Sequence, residues 1–272
     1  MASFGIATFN CFGVPMPSLP RRLAALAREL NDHGADVVCL QEVQFHRIRT
    51  TLQRLTTGFP YSVYEPFFHA PKGGLLTLSR VPIDTHEFVL YPERGRRFSP
   101  TLADVILHKG ALISRMRVAG RPIVVVNTHL SANYAGNWHL SHPHARTERD
   151  QLQRLAALVQ AQPSDAVVIV GGDFNVPRQS ELYQEFIAAS GLHDPLAEDM
   201  RPTYRPLRGI PARFAAPLDW LLVRYPPELD LEVRSDLFLK DAVPAAGSAT
   251  FLSDHIGIDM TLSWDVTHSM LQ

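Results

Sequence analysis

The segment DAVVIVGGDFN, residues 165–175, decides how the rest of the chain is read. An apolar run, Ala166 to Val170, reaches two glycines and then two polar side chains, Asp173 and Asn175. A short apolar run bounded by turn residues reads as a strand. Polar residues just past such a strand lie where open α/β sheets gather their ligands. The pattern recurs along the chain. Asn10 follows FGIATF, Gln41 and Glu42 follow DVVCL, and Thr128 and His129 close IVVVN. Two further groups come before strands instead: Asp219 precedes WLLV, and Ser253, Asp254 and His255 precede IGIDM. If these last two strands run antiparallel to the first four, all six groups meet along one sheet edge as a single polar site.

Around these strands the sequence alternates helix and strand in its first half and strand and loop in its second. Leu19, Leu23, Leu26 and Leu30 recur at spacings of three and four, which predicts an amphipathic helix stopped at Gly34. Arg47 to Leu55 reads as a second helix, ended by Gly58 and Pro60. Ala145 to Gln162 reads as a long third, with Leu152, Leu155, Leu158 and Val159 on one face, and Glu181 to Ser190 as a short fourth. GGLLTLSR, DTHEFVLY, GALISRMRV, RPIVVVNTHL, LDWLLVR and HIGIDMTL read as strands. Residues 201–217 form the one long stretch without a periodic pattern, punctuated by Arg201, Arg205, Arg208 and Arg213. No repeat, low-complexity tract or linker composition interrupts residues 1–272, so one domain is expected.

Composition bounds the function. A chain of 272 residues, 46% hydrophobic and 19% charged, is not a disordered one. A formal net charge of −1 excludes a bulk polyanion binder and leaves room only for a local basic patch. Cys11 and Cys39 lie in apolar runs and read as small core residues of a reducing compartment. With no leader pattern and no membrane-length apolar run, the expected location is cytoplasmic.

The residue types at the shared edge suit one reaction. Asn10, Glu42, Asp173 and Asn175 offer oxygen ligands, which match Mg²⁺ or Mn²⁺. Asp173 and Asn175, two apart, point to one side of an extended chain, one to take a proton from water and the other to hold it. His129 and His255 supply donors for charge developing on a phosphate. Asp254 and His255, as neighbours in a strand, face opposite ways, so the carboxylate that orients His255 is expected from elsewhere, with Asp219 the candidate. Together these are the parts of metal-assisted phosphoester hydrolysis.

The series TFN, LQE, NTHL, GGDFN, LDW and SDH resembles the endonuclease/exonuclease/phosphatase superfamily, from Asn10 to His255. The resemblance implies an α/β (α+β) fold, a four-layer α/β/β/α sandwich whose two central mixed sheets are flanked by helices. It implies a Mg²⁺-dependent phosphodiesterase with Glu42 as principal metal ligand, Asn10 and Asp254 in or beside the metal shell, and Asp173 as water-activating base with Asn175 as its partner. It also implies phosphate contacts from His129 and His255, the latter held by Asp219.

Within the superfamily the sphingomyelinase branch is the nearest likeness, through Lys109–Leu112, THLSANYAGNWHL, RTERDQLQRL, GGLLTLSR, GLHD and PTY. That reading makes Lys109 a substrate-binding candidate; Trp138, with Tyr134 in the same loop, is one by its ring, suited to a base or a lipid interface, and Arg205 by its charge, suited to an anionic substrate. The substrate is a phosphodiester, lipid or nucleic acid. A choline-type phospholipid leads and a nuclease or nucleic-acid repair activity is the alternative. No obligate protein partner is expected, and the chain is expected to be a monomer. Departing from that branch, only a short connection is expected between LDW and SDH, with Phe238 and Leu239 as apolar tips. Pro143 is expected to interrupt any helix through His139, His142 and His144.

Overall fold

The computed structural model describes residues 1–93, 107–207, 209–245 and 248–265. Thirteen strands lie among them: β1 (Ala2–Asn10), β2 (Val37–Gln41), β3 (Tyr61–Val63), β4 (Leu76–Ser79), β5 (Thr85–Leu90), β6 (Gly110–Val118), β7 (Arg121–His129), β8 (Val167–Asp173), β9 (Asp219–Arg224), β10 (Leu231–Phe238), β11 (Val243–Ala245), β12 (Ser248–Thr250) and β13 (Gly257–Trp264). The first sheet has the order β10-β13-β1-β2-β4-β3 and the second β5-β6-β7-β8-β9, while β11 and β12 form a separate hairpin. The described α-helices are α1 (Leu19–Asp32), α2 (His46–Leu55), α3 (Pro143–Gln160) and α4 (Glu181–Ser190).

The strands carry continuous apolar runs because both faces of each sheet are covered. Successive side chains alternate between faces, so neighbours enter different cores. In β2, Val37 and Cys39 face the other sheet while Val38 and Leu40 face α1 and α2. In β8, Val167 and Ile169 face the first sheet while Val168 and Val170 meet α3 and α4. Three apolar cores therefore separate four layers, helix, sheet, sheet, helix, in agreement with the expected sandwich. The helices contribute one stripe each: Leu23, Leu26 and Leu30 from α1, and Leu152, Leu155 and Val159 from α3.

Strand direction places the site. β1 pairs parallel with β2, and β7 with β8, whereas β13 runs antiparallel to β1 and β9 to β8. Ends of β1, β2, β7 and β8 thus share an edge with the starts of β9 and β13. The register aligns His129 with Asp173 and Asp173 with Asp219 across three strands.

Several local expectations are corrected. Pro143 opens α3 as its first residue, capped by His142, because the first turn of a helix has no use for the missing N–H. The connection between LDW and SDH is not short in structure: it holds β10 and the β11–β12 hairpin. LEVRSDLF, absent from the expected strands, is β10: inward Leu231, Val233 and Leu237 alternate with exposed Glu232, Arg234 and Asp236, a charge-alternating pattern interrupted by Ser235, and it pairs with β13 from Leu231–Trp264 to Phe238–Gly257. Phe238 is not an exposed tip: it is 7% exposed, in edge contact with Phe9 at 6.5 Å, and Leu239 packs on the same core. The last strand begins at Gly257, so the SDH residues sit in the approach to it. Among the described residues no helix is long and apolar enough to cross a membrane.

Candidate active site

The centre of the site is the Asp173 carboxylate, where β8 ends. Its approach depends on Gly172, where a side-chain Cβ would fall 1.9 Å from the Thr128 carbonyl oxygen. Asp173 Oδ2 accepts a hydrogen bond from Asn10 Nδ2 at 2.9 Å and lies 3.3 Å from His129 Nε2 and 3.6 Å from His255 Nε2. On its far side, His255 Nδ1 is 2.8 Å from Asp219 Oδ2. All five side chains are buried.

Charge follows from this packing. Burial alone raises a carboxyl pKa, yet the His255 and His129 imidazoles, with hydrogen bonds from His129 and Asn10, hold Asp173 well below the usual range. Burial likewise opposes charging His255, but the Asp219 and Asp173 carboxylates outweigh it and push the imidazole up to about 10. His255 is therefore a cation at neutral pH.

Glu42 enters from the first sheet, one residue past β2, with φ at 57°. A left-handed glutamate is strained, and its surroundings impose it. The Val43 N–H donates to the Gly74 carbonyl at 2.8 Å, and Gly13 leaves room for the Glu42 carbonyl, which a Cβ there would meet at 1.9 Å. Asn10 Nδ2 also donates to Glu42 Oε1, at 3.1 Å. Asp254 comes from the approach to β13, with Ser253 Oγ 3.2 Å from its Oδ1. Burial, reinforced by the Glu42 charge against the opposing His255 charge, lifts its carboxyl to about 6.

A divalent cation fits this arrangement. Ligand atoms of Glu42, His129 and Asp173 lie within 4.8 Å of one another, and Asp254 is close enough to feel Glu42. Converging carboxylates repel, and a bound cation relieves that repulsion.

Glu42, Lys109, His129, Trp138, Asp173, Asn175, Asp254 and His255 line one cleft of about 440 Å³. Asn10 and Asp219 stand behind it, reaching the cleft through Asp173 and His255. The geometry differs from expectation at three of these residues. Asn175 is not carried beside Asp173 by an extended chain: φ is 53°, its N–H donates to Asp173 Oδ1 at 3.0 Å, and its Nδ2 donates to the Leu130 carbonyl. The chain turns at the strand end and still presents Asn175 to the cleft. Asn10 accepts the Phe12 N–H on its amide oxygen and turns its amide nitrogen to the carboxylates, so it positions Asp173 and Glu42 rather than offering them a fellow oxygen ligand. Trp138 is anchored by its indole N–H to the Asn175 carbonyl at 2.9 Å, so it forms part of the wall.

Arg205 does not face the cleft. Its guanidinium donates to the Lys240 carbonyl and covers the Phe251 ring at 4.2 Å. Arg201 pairs with Asp199 and Asp236 on the surface. Arg208 and the Arg213 side chain lie outside the described residues. His139 and His142 serve local turns, the first beside Ser141 Oγ at 2.8 Å and the second as the α3 cap.

For two neighbours of the site, Tyr204 of the PTY segment and Arg22, the sequence did not show the contacts they make. Tyr204 lines the cleft with its ring 5.2 Å from that of His255. Arg22, on the apolar stripe of α1, is buried and donates to the carbonyls of Cys11, Phe12 and Leu252, tying the segment after Asn10 to the one before Asp254. An arginine between leucines reads as a helix-surface residue until its partners are seen.

A two-sheet sandwich with a carboxylate cluster able to hold a cation beside a histidine–aspartate pair defines a class of phosphate-handling sites. The chain belongs to the Endonuclease/Exonuclease/phosphatase family, which it matches over residues 7–255. It is 30% identical over 206 residues to a Drosophila melanogaster protein named "Putative neutral sphingomyelinase", covering 73% of this chain and 45% of that protein. The chain thus spans about half the length of that relative. Its fold is shared with sphingomyelinase C from Streptomyces griseocarneus (TM-score 0.71, 22% identity, 96% of this chain and 99% of that one). It is shared equally with D. rerio TDP2 complexed with a single-strand DNA product (TM-score 0.75, 18% identity, 96% and 99%).

Proposed function

We propose that this chain is a Mg²⁺-dependent phosphodiesterase, acting as one catalytic domain on a choline-type phospholipid or a related phosphodiester. The observation that carries the reading is the position of Asp173 Oδ2, within 3.6 Å of both histidines and 2.9 Å from Asn10. Glu42 and Asp254 would hold the cation with Asp173 at its border. When bound, the cation supplies Lewis-acid stabilisation of charge on a phosphate oxygen.

Asp173, ionised at neutral pH, accepts a hydrogen bond from the attacking water and aligns it on phosphorus. Asn175, fixed by its bonds to Asp173 and Leu130, offers a second polar contact from the same strand end. His255 is cationic and backed by Asp219, so it acts as a donor to a phosphoryl oxygen whose charge grows in the transition state. His129 supplies the second imidazole contact. The Asp219 bond engages Nδ1–H and fixes the ring plane of His255, leaving Nε2–H to face substrate.

The walls favour a lipid over a polynucleotide. Leu107, Tyr134, Ile210 and Phe214 line the cleft. Tyr134 is 55% exposed, and Phe68 is 94% exposed in sequence beside Phe67, whose ring lies tilted against that of His108, the residue after Leu107. Exposed aromatic and aliphatic groups around a cleft suit an apolar surface. A nucleic-acid substrate is the second reading, supported by the fold shared with TDP2. A cytoplasmic setting is part of the proposal, supported by two buried, unpaired cysteines.

Hydrolysis of a sphingomyelin analogue in mixed micelles, of plasmid DNA and of an aryl phosphodiester, each with Mg²⁺ and with EDTA, tests this function. Metal-dependent turnover of the lipid and the aryl ester is expected. Turnover of DNA alone would reverse the order of the two readings, and metal-independent turnover would refute both.

A further inference from the structure

The PTY segment, Pro202-Thr203-Tyr204, has no task in the chemistry above, yet it crosses both loops that carry the His255–Asp219 pair. Thr203 and Tyr204 donate their N–H groups to the Ala216 carbonyl, each at 3.1 Å, on the approach to β9. On the other side the Ile256 N–H donates to the Thr203 carbonyl at 2.6 Å, Tyr204 bridges His255 in antiparallel fashion, and the Arg205 N–H donates to the Asp254 carbonyl at 2.7 Å. These backbone bonds form whatever the side chains are. The Thr203 side chain adds something they do not. Its Oγ1 accepts the N–H groups of both Leu218 and Asp219, each at 2.9 Å, and Thr203 is completely buried.

We propose that Thr203 is a positioning residue of the phosphodiesterase reaction: its hydroxyl fixes the turn into Asp219 and so keeps that carboxylate on Nδ1 of His255. The inference rests on the function proposed above. Three observations join to carry it. Asp219 is the first residue of β9, and the two residues before it are held through their carbonyls, Leu218 by the Phe174 N–H at 2.9 Å and Pro217 by the Arg178 N–H at 3.1 Å, which leaves the Leu218 and Asp219 N–H groups to be fixed from the Thr203 side. Its Oδ1 is buried without a hydrogen-bond partner, so the carboxylate is oriented by Oδ2 on His255, by the Thr203 side chain beside it and by the backbone that bears it. The N–H groups of Leu218 and Asp219 both reach one oxygen atom, that of Thr203. Both donors are buried; without Oγ1 the Asp219 N–H has no acceptor unless the turn shifts, and the Leu218 N–H keeps only the Ala216 carbonyl at 3.1 Å. A shift of the turn moves Oδ2 from the imidazole, and displacement on the ångström scale at a catalytic group is costly in rate.

Thr203→Val keeps the shape and removes the acceptor, while Thr203→Ser keeps the acceptor and removes the methyl. Turnover of an aryl phosphodiester should fall roughly 10- to 100-fold in kcat for Thr203→Val, with KM little changed, and return close to the wild-type value for Thr203→Ser. The low-field proton NMR resonance of the His255 Nδ1–H, a signature of its bond to Asp219, should persist in Thr203→Ser and be lost or moved in Thr203→Val. Circular dichroism establishes that each variant is folded. If Thr203→Val does not fold, Thr203→Cys, a weak acceptor of similar size, takes its place and should fall between Ser and wild type on one side and complete loss on the other. A folded Val variant with wild-type kcat and an unmoved resonance would overturn the proposal. So would a Ser variant as impaired as Val, since the methyl would then be the part that matters. If wild-type protein turns over no phosphodiester, the function proposed above fails, while the resonance still reports on Thr203 by itself.

Discussion

Asp219→Asn is the substitution whose consequence follows most directly from the distances. Asparagine keeps the shape and can still accept the Nδ1 proton, so the 2.8 Å contact survives while its charge is lost. Two unit charges about 4 Å apart at an effective dielectric near 20 interact by about 4 kcal/mol, which corresponds to roughly 3 pH units. His255, held at about 10 mainly by Asp219 and Asp173 against its burial, should then titrate near pH ~7 in the variant. The active form is protonated, so activity is lost as pH rises through this pKa. At pH ~9 the variant retains only about 1% of its imidazolium, so kcat/KM should fall ~100-fold relative to wild type, with far less loss near pH ~6.

The pH profile of kcat/KM on an aryl phosphodiester reads this directly. Stability follows the same sign. A raised folded-state pKa stabilises fully below the unfolded value of ~6.5 and is lost as pH rises through about 10, so wild-type Tm should decline across that window, with Asp219→Asn losing its share earlier. An alkaline limb that stays in place in the variant, or a loss of equal size at every pH, would refute the reasoning.

Glu42→Gln should weaken Mn²⁺ binding, read by titration calorimetry, by roughly 10-fold or more, together with activity, because it removes a charge that converges with Asp173 and Asp254. Added Mg²⁺ should raise the wild-type Tm through binding to the folded state, and that rise should shrink in Glu42→Gln. Gly172→Ala should destabilise the protein by at least about 2 kcal/mol in urea melts, since its Cβ meets the Thr128 carbonyl at 1.9 Å. Arg22→Lys keeps the charge but loses the fork that spans three carbonyls, so Mn²⁺ affinity and Tm should both fall; unchanged values would show that the segments after Asn10 and before Asp254 are held without it. Cys11 and Cys39, whose thiols burial pushes up to about 12, should not react with a thiol reagent until the protein unfolds.

Patterns with strong local causes were legible. The apolar runs of β2, β7 and β8 are continuous because both faces are buried, and the leucine spacing of α1 and α3 follows from one buried stripe. Where burial is one-sided the pattern weakened. β10 sets exposed Glu232, Arg234 and Asp236 between inward Leu231, Val233 and Leu237, a pattern weaker than a continuous apolar run because each exposed position is charged and Ser235 interrupts the inward face. Pro143 was misread because the same residue breaks a helix interior and begins a helix well, and position relative to the first turn is what separates the two.

The site divides in the same way. By itself the sequence determined which residues end strands at one edge and that their donors suit a cation and a phosphate, because these depend on residue type and on neighbours in the chain. It also pointed to Asp219 as the carboxylate for His255, by denying that role to Asp254. Only the tertiary structure decided which atoms those groups present. Asn10 turns its amide nitrogen inward because the Phe12 N–H claims its oxygen, Asn175 arrives by a left-handed turn, and Arg205 lies on Lys240 and Phe251, away from the cleft. Thr203 and Arg22 entered only when loops distant in sequence came together. A hydroxyl or guanidinium acts through the buried backbone groups it satisfies, and those groups are brought within reach by packing between the layers, which no single stretch of sequence contains.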